Sequence, residues 1–162
     1  MFLNRDPIAG SFTTSYEEAI FNNITHDITL TPSGVPNIFA FNNQAKGDIT
    51  YCNLIAPGII RISQNGVYHI SYTLCCKRPL YPSIGSIMTF ISIDGIYLYG
   101  YGGQNSALNY STDLSANYDV CLNLVDGDTI RCYVTNVSLT GNILLNPTDG
   151  FFDSNLVISK LV

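Results

Sequence analysis

The stretch Asn65-Gly66-Val67-Tyr68-His69-Ile70-Ser71-Tyr72-Thr73-Leu74 is the part of this chain that decides its fold. Tyr68, Ile70 and Tyr72 alternate with smaller or more polar residues, and a glycine stands where the run begins. A period of two residues is typical of a strand with one buried face, because successive side chains of a strand point to opposite sides of the sheet. The sequence therefore predicts a strand over residues 66–74.

Similar runs recur along the chain and are separated by turn signals. Pairs such as Asp94-Gly95 and Asp126-Gly127 mark the turns, because aspartate and glycine tolerate the backbone angles that tight turns require. Eight or more short strands at this spacing predict a β-sandwich or barrel rather than a βαβ protein. The predicted strands are residues 37–41, 48–53, 59–63, 66–74, 86–93, 96–101, 117–124, 129–135 and 155–161.

Residues 1–34 are less regular, and we predict that they form an N-terminal arm. Thr14 and Glu17 have the spacing of a helix capping box, so one helical turn over residues 16–21 is one alternative and an extended arm is the other. Residues 35–162 are predicted to form a single domain, which suits a chain of 162 residues.

Composition limits the classes of function. The chain has 7 Lys and Arg against 12 Asp and Glu, without the basic stripe that nucleic-acid binding needs. No run approaches the ~18 apolar residues of a membrane helix, and residues 1–7 lack the pattern of a classical signal peptide. We therefore expect no nucleic-acid partner and no membrane insertion. Since 46% of the residues are hydrophobic and 12% are charged, we also expect apolar surface that a partner covers.

The cysteines number five, so they cannot all pair within one chain. At the Asp126-Gly127 turn, matching the apolar faces of the flanking strands places Leu124 opposite Ile130 in a hairpin with a three-residue loop. In that register Cys132 points into the core and Cys121 points outward, so no disulfide joins them. We predict mostly free thiols that act as small buried hydrophobes.

The sequence carries no catalytic or metal-binding motif. His26 and His69 lack metal-ligand spacing, and the adjacent Cys75-Cys76 pair lacks the spacing of a zinc site. Two aspartate pairs are interpreted as turn formers that bond their own backbone, with acid–base catalysis and calcium binding as the alternatives. These pairs are Asp126 with Asp128 and Asp149 with Asp153. We expect a protein that is not an enzyme, with no catalytic residue and no cofactor.

Four motifs give the chain a family resemblance. They are residues 66–72 (GVYHISY), 91–95 (ISIDG), 122–130 (LNLVDGDTI) and 155–161 (NLVISKL). In this order they resemble the C-terminal head domains of bacterial collagen-like surface glycoproteins, notably those of the spore exosporium. These heads are a bacterial branch of the complement-head and tumour necrosis factor jelly roll. The resemblance covers residues 35–162, and some viral fibre and spike heads share the same fold.

The resemblance implies an all-β jelly-roll sandwich of about ten antiparallel strands, assembled as a tight homotrimer. One sheet of this family faces the threefold axis, so Tyr68 and Tyr72 are candidates for the trimer contact. The implied function is a non-catalytic head that caps a filament or fibre, for trimerisation and adhesion, on the outermost layer of a bacterial spore. The alternative is a recognition head of a viral fibre, or a complement-head-like module for a receptor, host protein or glycan.

The Asp94-Gly95 pair predicts a two-residue hairpin. Its core pairs are then Ile93 with Ile96 and Ile91 with Leu98. The opposite face carries Tyr97, Tyr99 and Tyr101 beside Phe90, a set that we call the tyrosine stripe. An exposed tyrosine stripe suits recognition, because each ring offers rigid area with a polar tip. Cover by a neighbouring subunit or a loop is the alternative.

Overall fold

The computed structural model describes residues 18–22, 28–31, 34–46, 50–76, 87–99, 114–137, 143–145 and 154–161. All regular secondary structure within these ranges is β-strand, and every pairing between the strands is antiparallel. The strands are β1 Glu18–Asn22, β2 Ile28–Leu30, β3 Asn37–Phe39, β4 Asn43–Lys46, β5 Cys52–Ala56, β6 Ile59–Ile62, β7 Gly66–Cys76, β8 Ile87–Ile93, β9 Ile96–Tyr99, β10 Leu114–Leu124, β11 Thr129–Asn136, β12 Ile143–Leu145 and β13 Asn155–Lys160.

Two sheets form the sandwich that the sequence predicts. The five-stranded sheet has the order β10-β7-β13-β1-β4. The six-stranded sheet has the order β5-β6-β11-β8-β9, and β3 pairs with β11 beyond the residues that pair with β6. Strands β2 and β12 form a separate two-stranded sheet.

Strand β7 is central because its alternating residues fill the space between the sheets. Tyr68, Ile70, Tyr72 and Leu74 are fully buried, as the alternation predicts. The ring of Tyr72 meets the ring of Phe41 edge-on, with 5.8 Å between centroids. Edge-on aromatic pairs of this kind add stability beyond the area they bury.

Strand β1 belongs to the sandwich and is not part of a separate arm. It lies between β13 and β4, and Ala19 and Phe21 are fully buried. The described residues of the predicted helical turn are therefore extended, and the boundary predicted at residue 34 does not separate β1 or β2 from the sheets. Thr14 and Glu17 lie outside the described residues.

The connection from β10 to β11 crosses from the five-stranded sheet to the six-stranded sheet, so these two strands do not form a hairpin. Leu124 pairs with Gly66 in the five-stranded sheet, whereas Ile130 pairs with Ile93 in the six-stranded sheet. Both side chains are buried, so the two apolar faces meet across the core instead of lying side by side. The predicted hairpin register is therefore wrong.

The prediction for the thiols still holds for the described cysteine side chains. Cys132 is buried in the core, Cys121 is exposed, and both are free, as is the buried Cys52. The side chains of Cys75 and Cys76 lie outside the described part of the chain.

The hairpin between β8 and β9 is confirmed. Ile93 pairs with Ile96 and Ile91 pairs with Leu98 across a turn in which Asp94 and Gly95 have φ of 50° and 80°. The prediction that Ile96 fills the core is wrong, because its side chain is 68% exposed. Ile96 is the first residue of β9, which is an edge strand of the six-stranded sheet.

Candidate functional site

The outer face of the five-stranded sheet is the candidate interaction surface. Because side chains alternate along a strand, the residues between the core positions of each strand point away from the sandwich. The registers align them in two rows across β1, β13, β7 and β10. The first row is Glu18, Ser159, His69 and Cys121, and the second is Ile20, Val157, Ser71 and Asp119. We call these eight residues the outer face.

Two neighbouring aliphatic side chains lie near the middle of the outer face. Ile20 of β1 is the register partner of Val157 of β13, and both are half-buried. Ser71 follows them in the row and carries no charge. Covering this aliphatic pair with another protein surface would remove apolar surface from water.

The outer face places a histidine of the first row beside a thiol of the same row and a carboxylate of the second row. His69 is the register partner of Cys121, and directly opposite residues of an antiparallel pair have Cβ atoms about 4.5–5.5 Å apart. The Nε2 atom of His69 lies 3.4 Å from Oδ1 of Asp119, and the side chains are 39% and 59% exposed. The sequence offered no signal for this cluster, since the residues come from two strands whose pairing is not local.

The six-stranded sheet differs, because part of the face that it turns away from the core is covered. Phe90 is 4% exposed and its register partner Tyr133 is 7% exposed. Phe90 therefore offers almost no surface to a ligand, which corrects its assignment as a recognition residue. The backbone register places Tyr97 opposite Ser92 and Tyr99 opposite Phe90. The side chains of Tyr97 and Tyr99 and all of Tyr101 lie outside the described residues, so the tyrosine stripe stays a prediction.

Tyr68 and Tyr72 point into the sandwich, away from the outer face. Both side chains are fully buried within one chain, so neither has surface left for another subunit. Their assignment to the trimer contact is therefore corrected. Period-two patterning identified one face of β7 as buried, but a sandwich core and a subunit contact bury a strand face in the same way. The neighbours His69 and Ser71 carry the outward face of β7.

Hydrogen bonds close the end of the sandwich near Gln64. The Tyr68 hydroxyl donates to the Gln64 carbonyl at 2.7 Å, and Lys160 Nζ donates to Gln64 Oε1 at 2.9 Å. The Tyr51 hydroxyl donates to the Ile158 carbonyl at 3.1 Å and so links the two sheets. Burial, and then the neighbouring Cys52, raise the pKa of Tyr68 to about 12. Tyr68 therefore stays a neutral donor at physiological pH.

Asp94 and Asp128 of the described turns accept hydrogen bonds from backbone amides, whereas the carboxylate of Asp126 pairs with Arg61. Asp128 Oδ2 accepts a hydrogen bond from the Val125 amide at 2.8 Å, as expected of a turn former. Asp94 Oδ1 accepts from the Thr129 amide at 2.7 Å and from its hydroxyl at 3.0 Å. The bond from the Thr129 amide is the main reason that the pKa of Asp94 is lowered. Asp149 and Asp153 lie outside the described residues.

The described residues contain no group of three or more histidine, cysteine, aspartate or glutamate side chains placed to hold a metal ion. The same part of the chain has no helix long and apolar enough to cross a membrane.

Comparison with known proteins shows the fold. No family model and no curated protein matches the chain. The structure of Eiger TNF from S. frugiperda is 15% identical, with a TM-score of 0.57, and the match covers 91% of this chain and 93% of that one. A crystal structure of murine APRIL at pH 8.0 is 12% identical, with a TM-score of 0.59, and the match covers 91% of this chain and 100% of that one. The chain therefore has a jelly-roll sandwich of the tumour necrosis factor type.

Proposed function

We propose that the chain is a non-catalytic head domain that assembles as a homotrimer through its outer face and displays its remaining surface to a binding partner. The observation that carries this proposal is the half-exposed Ile20–Val157 pair at the middle of that face, in a sandwich of the tumour necrosis factor type. The partner is a receptor-like protein or a glycan on another surface.

The sheet faces support the choice of contact surface. The outward face of the six-stranded sheet already buries Phe90 and Tyr133 within the chain. The outer face of the five-stranded sheet keeps Val157, His69 and Asp119 accessible to solvent. A second copy that covers this face removes aliphatic surface from water, and each Å² so buried stabilises the complex by about 25 cal/mol.

The place of display is proposed from sequence motifs alone. The four motifs between residues 66 and 161 resemble heads of bacterial collagen-like glycoproteins, and on that support we propose display at the outer end of a filament on a bacterial spore. A trimer suits this role because three chains of a fibre can end in three chains of one head.

The test is the oligomeric state of the chain and of two matched variants. Sedimentation equilibrium of the unaltered chain should give about three times the chain mass of 17.8 kDa. Val157→Glu places a charge at the middle of the outer face and should produce monomers at micromolar concentration, because a buried unpaired charge is costly. Val125→Glu is the control, since Val125 is 54% exposed outside the outer face, and it should leave the trimer intact.

A monomer in the unaltered chain at all concentrations would contradict the proposed assembly. A trimer that survives Val157→Glu but is lost in Val125→Glu would place the contact elsewhere. Circular dichroism of each variant should show the same β-structure, so that a change of mass reports assembly and not unfolding.

A further inference from the structure

We propose that assembly through the outer face takes up protons at the His69–Asp119 pair, so that acidification strengthens the trimer. This inference rests on the proposed function, and it adds a regulation of the same surface. The pair joins β7 and β10, and its two side chains point away from the core. A change of charge there therefore acts on the contact surface and leaves the packing of the sandwich unchanged.

The attraction between His69 and Asp119 depends on one proton, which the imidazole must bind to become charged. The separation of 3.4 Å between His69 Nε2 and Asp119 Oδ1 is short enough for an ion pair when the imidazole is charged. In a single chain water still solvates both groups, since they are 39% and 59% exposed. An exposed pair of this kind contributes little by itself.

A covering subunit changes this balance because it excludes water from Asp119. A carboxylate that loses its hydration must be compensated by a positive partner or by a proton. A neutral imidazole offers at most one hydrogen bond, whereas a protonated imidazole offers a full positive charge. A protonated imidazole therefore binds its proton on assembly, so the trimer strengthens as pH falls.

The neighbouring elements supply no competing positive group among the described side chains. On β10 the titratable neighbours of His69 are Asp119 and Cys121, and on β13 its neighbours are Ser159 and Val157. Glu18 of β1 lies in the same row, with Ser159 between it and His69. Lys160 bonds to Gln64 on the opposite side of β13. Lys46 of β4 is the register partner of Ile20, and its side chain lies outside the described residues.

The direction follows from linkage. If the trimer binds more protons than the separate chains, its association constant rises as pH falls through the range in which histidine gains its proton. A threefold gain for each of three histidines would raise the association constant about 30-fold between about pH 8 and about pH 5.5. The gain is present below this range and is lost as pH rises through it.

Sedimentation equilibrium of the full chain at about pH 5.5 and about pH 8 measures this response across the titration range of histidine. His69→Gln should keep the weak assembly of high pH at both values. Asp119→Asn removes the charge that needs compensation, and it should give strong assembly at both values. His26→Gln changes the other histidine of the sequence and is the matched control, which should keep the full response.

For a trimer too tight to dissociate at micromolar concentration, the exchange of subunits between two fluorescently labelled populations gives the same answer. Exchange should slow on acidification in the unaltered chain and not in His69→Gln. A trimer whose association and exchange do not change with pH, or a His69→Gln variant that keeps the response, would overturn this inference and leave the proposed trimer standing. A monomer at every pH would overturn both.

Discussion

At the scale of single residues, burial sets the reactivity of each described thiol. Burial raises the pKa of Cys52 to about 12 and also raises the pKa of Cys132. The thiolate is the reactive form of cysteine, so both buried thiols are protected by their charge state as well as by access. Cys121 is exposed on the outer face.

Brief alkylation of the folded, dissociated chain at neutral pH should therefore modify Cys121, whereas Cys52 and Cys132 should react only after unfolding. Peptide mapping by mass spectrometry measures this directly. A peptide with Cys121 crosslinked to Cys132 would contradict the structure, since the two residues belong to different sheets. If the outer face is covered in the trimer, the labelling of Cys121 should increase on dilution.

The glycine at position 58 is required by its backbone angle and by its neighbours. Gly58 has φ of +75°, and a Cβ there would lie 3.1 Å from Ile38 Cγ2 and 3.2 Å from the Cα of Ala40. Gly95 has a similar φ of +80° with open space around it.

Gly95→Ala should lower the free energy of unfolding by about 1–2 kcal/mol, which is the strain of a left-handed alanine. Gly58→Ala should cost more, because the new methyl group also presses on the backbone of Ala40. Urea denaturation of both variants at one protein concentration compares them. Equal losses would show that the crowding is relieved by a small movement of the chain.

At the scale of elements, Asp94 ties the turn between β8 and β9 to the start of β11. Its pKa is lowered mainly by the hydrogen bond from the Thr129 amide. A carboxyl group with a lowered pKa in the folded state stabilises the fold at pH values above its ordinary pKa. That stability is lost as pH falls through the lowered value.

Asp94→Asn keeps an acceptor and tolerates the positive φ, but it cannot titrate. Chemical denaturation at neutral pH and at about pH 3 should therefore show a smaller acid-induced loss of stability in this variant than in the unaltered chain. Asp126→Asn is a suitable control, since the described ion pair of Asp126 with Arg61 is exposed and spans 3.9 Å. A control with the larger effect would assign the acid sensitivity to the neighbouring turn.

Most of the strands could be predicted from the sequence, whereas β1, β2, β4 and β12 could not. Strand β7 carries enough alternating residues for its faces to be read directly, whereas β8 and β11 were recognised as apolar runs that are buried on both faces. Among the side chains of β1 whose burial is described, Ala19 and Phe21 are buried, and β12 is a uniform run of three apolar residues, so neither strand has a readable period. The β10–β11 connection was misread because two matching apolar faces fit a hairpin and a sandwich core equally well.

The candidate site was less predictable than the fold. Its two rows need β1 beside β13 and β13 beside β7, and such pairings between distant strands leave no local mark on the sequence. The sequence did predict the outward position of Cys121, because that depends only on alternation within one strand. Phe90 was misassigned because the alternation shows which side of a sheet a residue occupies, but not whether another segment covers that side.

At the scale of the whole molecule, the proposed trimer should melt well above the ~45–65 °C typical of mesophile domains. Unfolding must also separate the subunits, so the melting temperature should rise with protein concentration. Circular dichroism melts at two concentrations a hundredfold apart measure both effects. A melting temperature that does not change with concentration, together with a monomer mass, would contradict the assembly.

The pairing of β1 with β13 has a mechanical consequence. Glu18, where β1 begins, lies opposite Ser159, which is next to the last residue of β13. The segments before β1 and after β13 therefore leave the same end of one antiparallel pair. A force that pulls these two segments apart breaks the hydrogen-bonded residue pairs between β1 and β13 one after another. A force on one segment, resisted at the far end of the sandwich, instead acts along its strand and loads all of the strand's hydrogen bonds in shear at once. A head tethered through one of these segments should therefore withstand far more pulling force than the same head stretched between both.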